Sequence, residues 1–345
     1  MVETYFERTP RDEEFYKLYI KDRLPKTVID AHMHLIPTQF RGEIAECERK
    51  ADWALQCVSN MSYDDYLYYA KKFYPDSDVN INAFPSLSRT VDQVGSNGYI
   101  GERHKAGKIQ FAHLAVRPWY TMEYITEEMN KYNFNGLKPY PDAGPGTKGG
   151  EVPIFQFLPH EQCQWLNEKK KSVVLHLPRA KRLADDDNVR ELKEMREKYP
   201  DIKIVIAHFG RCFPTEIARE AVKKMGSSMK DFYFDCSAVV NPAVYELMFD
   251  AIPHDQIMYG TDLPVFLFHG KRAWTDTSYH NLARENFAWN KHEEGEAAEA
   301  NYTFFLYEQL KVVLDTCDKF GGKDGGRALA EKIFHENAER IYGQN

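Results

Sequence analysis

Short apolar runs alternate along the chain with longer stretches in which charged and apolar residues recur at helical spacing. Alternation of this kind marks parallel βα units, because strands covered by helices on both faces carry nearly continuous apolar side chains. Eight runs fit strands, at 27–35, 79–84, 108–116, 134–139, 172–177, 202–209, 231–238 and 256–261. Helices are predicted between them at 52–73, 94–106, 121–132, 160–171, 186–199, 214–225 and 242–251, with Pro214 suited to a first helical turn. The pattern predicts an α/β fold, a closed (β/α)8 TIM barrel. An open doubly wound sheet would use the same alternation, but no Gly-x-Gly-x-x-Gly follows any strand.

Barrels of this type take about 250 residues, and the chain has 345. A single barrel domain over 1–345 therefore carries a surplus. It is expected in an N-terminal arm at 1–26, in the long first and second connections, and at 266–301, an aromatic and polar stretch without clear periodicity that reads as a lid or interface insertion.

With 43% hydrophobic residues the chain is expected to fold rather than stay disordered. Lys and Arg total 45 against 52 Asp and Glu, a net charge of -7, so the basic surplus needed to bind nucleic acid is missing. No run approaches the ~20 apolar residues of a membrane span, and the first residues are charged rather than signal-like. A cytoplasmic protein with no membrane partner is expected. The six cysteines are scattered without a Cys-x-x-Cys pair, which predicts reduced thiols, and Cys212 is given no role. Aromatic residues crowded between Trp274 and Phe305 read as a pocket cover or as the surface of a homodimer.

Candidate chemistry begins at His32 and His34, which close the first run. Residues i and i+2 of a strand share a face, with backbones about 6–7 Å apart, so both imidazoles can reach one ion. As core filling, each ring would need partners for a donor and an acceptor. In a barrel, chemistry gathers at the C-terminal strand ends. Lys138, His176, His208 and Asp262 fall at the ends of the fourth, fifth, sixth and eighth runs. Taken singly, each could close a turn or bond a loop. Four imidazoles and a carboxylate at separate strand mouths fit a nitrogen- and oxygen-rich site for zinc or another divalent first-row ion. Arg117, Arg179 and Arg211 also follow predicted strands and are candidate grips for a substrate carboxylate. Tyr140 is a further candidate contact, while His113 and His269 are weaker ones.

The motifs Ile29-Asp30-Ala31-His32-Met33-His34, Leu175-His176, Ala207-His208-Phe209-Gly210-Arg211 and Tyr259-Gly260-Thr261-Asp262-Leu263-Pro264, with the tail at 333–342, resemble the amidohydrolase superfamily. Within it they are most similar to the amidohydrolase-2 branch, which includes aminocarboxymuconate-semialdehyde decarboxylase. The resemblance implies one divalent metal held by His32, His34, His176 and Asp262, with His208 as the catalytic histidine behind them. Zinc is the first expectation, manganese or iron the alternatives. In binuclear members a carbamylated lysine on the fourth strand bridges a second metal, and Lys138 stands at that place. The nearest branch is mononuclear, so an uncarbamylated Lys138, paired or touching substrate, is the expected state. The implied function is a metal-dependent hydrolase in which activated water attacks an ester, lactone or amide carbonyl of a small, carboxylated molecule. Asp262 would take the proton of the water, and His208 would polarise the carbonyl or protonate the leaving group. A metal-dependent decarboxylase, a carbon-carbon lyase, is the alternative.

Overall fold

In the computed structural model, which describes residues 6–43, 46, 56–57, 60–85, 90–141 and 150–343, Thr27–Leu35 forms the first strand (β1). All its side chains except those of Thr27 and His34 are buried. Coverage of both faces is why apolar residues stand on either side of the strand rather than on one face alone. Seven more strands follow: Asp78–Pro85 (β2), Phe111–Ala115 (β3), Gly136–Lys138 (β4), Ser172–Leu175 (β5), Lys203–Ile206 (β6), Tyr233–Asp235 (β7) and Ile257–Met258 (β8). They form one sheet in chain order, every neighbouring pair parallel. Ala31 donates to the Tyr259 carbonyl, Asp262 to that of His32, and His34 to that of Leu263, at 2.8–2.9 Å. These bonds join β1 to the segment that leaves β8, so the eight strands make a (β/α)8 barrel as expected.

Helices separate the strands where periodicity placed them, with boundaries shifted by a few residues. They are Tyr63–Phe73 (α2), Gln93–Lys105 (α3), Met122–Tyr132 (α4), His160–Glu168 (α5), Asp186–Lys198 (α6), Thr215–Met225 (α7) and Pro242–Ala251 (α8). Local signals start them: Ser62 and Asp65 form a reciprocal capping box at α2, and Asp185 accepts from two amides of α6. The first part of the helix expected at 52–73 lies outside the described residues. Among the described residues no helix is long and apolar enough to cross a membrane; Cys57, Cys163, Cys212, Cys236 and Cys317 are all buried. Cys47 lies outside them.

Three elements were not anticipated. Pro10–Tyr19 (α1) occupies the arm, started by a capping box between Thr9 and Asp12. The stretch at 266–301, read as a lid or interface insertion without clear periodicity, contains an antiparallel hairpin, Gly270–Trp274 (β9) with Tyr279–Ala283 (β10). Phe305–Glu331 (α9) is a long helix interrupted at Gly322, where φ is 67°. Asp12 ties α1 to the insertion, accepting from His269 Nε2 at 3.0 Å, Thr303 Oγ1 at 2.7 Å and the Phe304 amide at 2.9 Å.

The barrel interior is a separate apolar cluster of Ile29, Ala31, Phe84, Phe111, Val174, Val205, Ala207 and Met258. Ala338, Ile341 and Tyr342 of the last helix, Asn337–Tyr342 (α10), close it from below. Asn135 and Lys203, at the starts of their strands, donate to the carbonyls of Tyr342 and Ile341. With the lower end plugged, the open rim is the C-terminal one. His113 is a satisfied core group, its ring nitrogens 2.8 Å from Asn82 Oδ1 and from Ser172 Oγ.

The tightest point of the barrel is Gly136, where an added Cβ would stand 1.9 Å from the Ser172 carbonyl oxygen. Gly136→Ala is expected to cost about 1–3 kcal/mol through overpacking and to lower the melting temperature. An unchanged melting temperature would contradict this packing.

Candidate metal centre and active site

Two histidines from β1 and one carboxylate after β8 meet at the rim. His32 Nε2 lies 3.5 Å and His34 Nε2 3.3 Å from the same oxygen, Asp262 Oδ1. His208, at the end of β6, brings a ring nitrogen into a cluster with His32 and Asp262 in which all donor atoms lie within 4.8 Å of one another. The His176 ring, after β5, has its centroid 5.4 Å from that of His208. The five residues expected at the strand mouths therefore converge. His208, expected behind the ligands, stands among them.

Hydrogen bonds set which nitrogen of each ring carries the proton, an assignment made from the partners. His32 Nδ1 is 2.9 Å from Asp235 Oδ2, a buried carboxylate that can only accept when ionised. His34 Nδ1 is 3.2 Å from the Pro85 carbonyl, which also only accepts. Both rings thus donate from Nδ1 and turn the lone pair of Nε2 toward Asp262. Lone pairs facing a carboxylate oxygen at 3.3–3.5 Å repel unless a cation lies among them. Among the described residues the buried Nδ1 of His176 has no hydrogen-bond partner. Imidazole nitrogen, carboxylate oxygen and an unpartnered buried nitrogen are the donor set of a divalent first-row ion, so these residues fit the metal that the motifs imply.

Burial pushes His32 and His176 below the ordinary histidine value and His208 down to about 3, favouring neutral rings that can act as ligands. The Asp262 carboxyl would be raised by burial, but His208, His34 and His32, once protonated at low pH, favour its anion and bring it to about 2. Asp235 is likewise held well below the carboxylate range, burial being outweighed by His32, His208 and Ser237. Burial brings the Lys138 amine down to about 8, against the pull of Asp235 and Asp262. Its Nζ has no hydrogen-bond partner among the described residues and lies 4.7 Å from the centre of the Phe84 ring.

The chain holds this geometry against its own backbone preference. His208, Phe209, Arg211 and Asp262 have φ of 58°, 47°, 63° and 64°, a left-handed region that side chains disfavour. Such conformations persist where surrounding contacts over-determine them, and they cluster at functional sites.

The remaining candidates divide. The Tyr140 ring is 4.6 Å from that of His176, on the wall of the site. Arg211 Nη1 donates to the Leu177 carbonyl at 2.8 Å, and its charge is felt by His176. Arg179 is held by Glu191 at 2.8 Å and by Asn188, an ion pair that fastens the loop to α6. Arg117 is buried, its guanidinium 6.0 Å from the centre of the Trp119 ring. His269 lies between Asp12 and Glu285, away from this cluster of residues.

Three residues that orient this cluster escaped sequence reasoning. Asp235 bonds His32 Nδ1, accepts from the His208 amide at 2.9 Å, and accepts from the Ser237 hydroxyl. With that proton committed, Ser237 Oγ accepts from His208 Nδ1 at 2.7 Å, which leaves the His208 Nε2 lone pair facing the site. Asp30 accepts from the amides of His32 and Thr261 and from the Thr261 hydroxyl, clamping β1 to the loop of Asp262. Burial raises Asp30 to about 7. Asp235 ends the seventh strand, so the strand-end rule that found the others would have found it.

A family profile described as Amidohydrolase, that of the amidohydrolase-2 group, matches residues 29–344, and the chain belongs to this family, whose members are enzymes. No curated protein matches at the sequence level. Among solved structures, a probable 2-pyrone-4,6-dicarboxylic acid hydrolase from Acinetobacter baumannii is similar with 13% identity and a TM-score of 0.56, over 92% of this chain and 99% of that one. A 4-oxalomesaconate hydratase from Rhodopseudomonas palustris gives 14% and 0.55, over 92% and 95%. A 2,6-dihydroxybenzoate decarboxylase from Rhizobium gives 10% and 0.51, over 92% and 99%. At these identities the likeness is one of fold.

Replacing Asp235 with Asn removes the anion that orients His32. Metal affinity is expected to fall about tenfold to a hundredfold, measured by competition with a chelator. Wild-type affinity in the folded variant would show that Asp235 does not orient the ligands.

Proposed function

We propose that the protein is a metal-dependent hydrolase that cleaves an ester, lactone or amide bond in a small carboxylated molecule. The observation that carries the metal is the convergence of two histidine lone pairs on one oxygen of Asp262. His32, His34, His176 and Asp262 would hold the ion, and zinc suits the set best. A divalent ion supplies Lewis acidity, which polarises an oxygen atom beside it and eases proton loss from water.

The residues of the chain carry the remaining steps. Asp262, 14% exposed at its side chain, has a second carboxylate oxygen that takes a proton as water attacks the carbonyl carbon. His208 accepts that proton at Nε2, and the Ser237 and Asp235 behind Nδ1 offset the charge it gains. The proton then passes to the leaving oxygen or nitrogen as the carbonyl bond breaks. In this network a neutral His208 presents a lone pair, so it acts as a proton carrier rather than polarising the carbonyl as a fixed donor. Decarboxylation is the second reading, supported by the likeness of fold to a decarboxylase. Release of carbon dioxide from candidate acids separates the two.

Elemental analysis of the purified protein is expected to find about one zinc, manganese or iron per chain. Asp262→Asn should lose metal and nearly all turnover, and a variant that keeps both would remove Asp262 from the mechanism. His208→Ala should keep its metal while the rate falls about a hundredfold or more. Loss of metal there would make His208 a ligand instead. Lys138→Ala tests for a bridged second ion: an unchanged metal count is expected, and a halved count would establish the carbamate.

A further inference from the structure

Arg272 lies on β9 of the inserted hairpin, paired with Asn281 of β10, and is 5% exposed. Its Nε donates to Asn281 Oδ1 at 2.9 Å and its Nη1 to the Ala238 carbonyl at 2.6 Å. Nη2 has no acceptor among the described residues, and none of their carboxylates forms an ion pair with the guanidinium. Four rings enclose it: the centres of Phe213 and Tyr279 lie 4.7 Å from its central carbon, that of Phe266 5.2 Å and that of Phe305 5.3 Å. Cation-π attraction offsets part of the lost hydration. A guanidinium withdrawn from water is nevertheless costly without an anion, and its planar fork matches a carboxylate.

The box belongs to the active-site rim. Phe213, Ala238 and Phe266 lie just downstream of His208, Ser237 and Asp262, so the segments leaving β6, β7 and β8 form its walls. Burial lowers Arg272 to about 10, while Tyr279 and the Asp262 carboxylate act to keep it charged. A second guanidinium, that of Arg182, stands 5.8 Å from the centre of the same Phe213 ring, and its buried Nε has no hydrogen-bond partner among the described residues. Two cations thus share one aromatic wall.

We infer that Arg272 is the specificity-determining residue of the site, binding through its free Nη2 edge the carboxylate of a small organic acid whose apolar body rests against the surrounding rings. This role rests on the reading of the site as an enzyme of small carboxylated molecules, and adds the residue that recognises the acid group. A merely structural Arg272 would anchor the hairpin and leave acid binding indifferent to its replacement.

Benzoate is a suitable probe, being planar, apolar and a weak chelator, with benzamide as its uncharged counterpart. Calorimetric titration of metal-stripped wild-type protein is expected to show benzoate binding more tightly than benzamide. Arg272→Met, whose side chain suits the aromatic walls, should stay folded by its melting temperature and lose about tenfold to a hundredfold in benzoate affinity. Benzamide affinity should not change. Arg272→Lys keeps a cation without the planar fork and should lose about tenfold; it decides the matter if the methionine variant fails to fold. Wild-type benzoate affinity in a folded variant, or no benzoate binding by the wild-type protein, overturns the role of Arg272. Because the titration is run without metal, absence of a stoichiometric divalent ion in the purified protein would overturn the hydrolase reading and leave the benzoate result standing.

Discussion

The carboxylate of Asp235 decides which nitrogen of His32 faces the pocket, and the chemistry at the rim depends on that choice. A buried anion is tolerated only when donors surround it. Asp235 has the His32 ring, the backbone amides of His208 and Ser237, and the Ser237 hydroxyl. Satisfying the anion fixes two imidazoles at once, His32 directly and His208 through the serine. The residues proposed to hold the metal and to carry the proton are therefore joined in one network.

The barrel places this network beside the junction that closes the sheet. β1 is bonded to the segment beyond β8 by three backbone hydrogen bonds, and Asp30 binds the same junction from the side. The residues that would hold a cation stand at strand ends, whose positions are set by the sheet. Arg272 instead stands on a hairpin added to the rim. Rigid chemistry and appended recognition fit a family whose structural neighbours bear the names of hydrolase, hydratase and decarboxylase.

The barrel was legible because strands covered on both faces leave long apolar runs, and helices between them carry caps and periodicity. Lengths were less legible: β4, β7 and β8 are only three, three and two residues long, since the chain leaves the sheet before the apolar run ends. The capping box of α1 was present in Thr9 and Asp12, and α9 carried apolar residues at helical spacing, Leu306, Leu310, Val313 and Cys317, ahead of its break at Gly322. At the site, His32, His34, His176, His208 and Asp262 announced themselves by type and by place at strand ends. Asp235 obeyed the same rule, but what it does is expressed only through a partner 203 positions away. Arg272 left no such trace, because its surroundings come from four separate segments that only the fold brings together. Arg179 shows the converse, a residue well placed along the chain that folding commits to Glu191.

The buried contact of Asp12 with His269, Thr303 and Phe304 has a practical corollary. The opening helix is a keystone for the segment that bears the arginine, though the two lie far apart in the chain. Trimming the amino terminus to improve expression would strip three buried donors of their acceptor and unseat that segment. Kinetic constants gathered from shortened and full-length preparations would then describe two different recognition surfaces above the same catalytic floor.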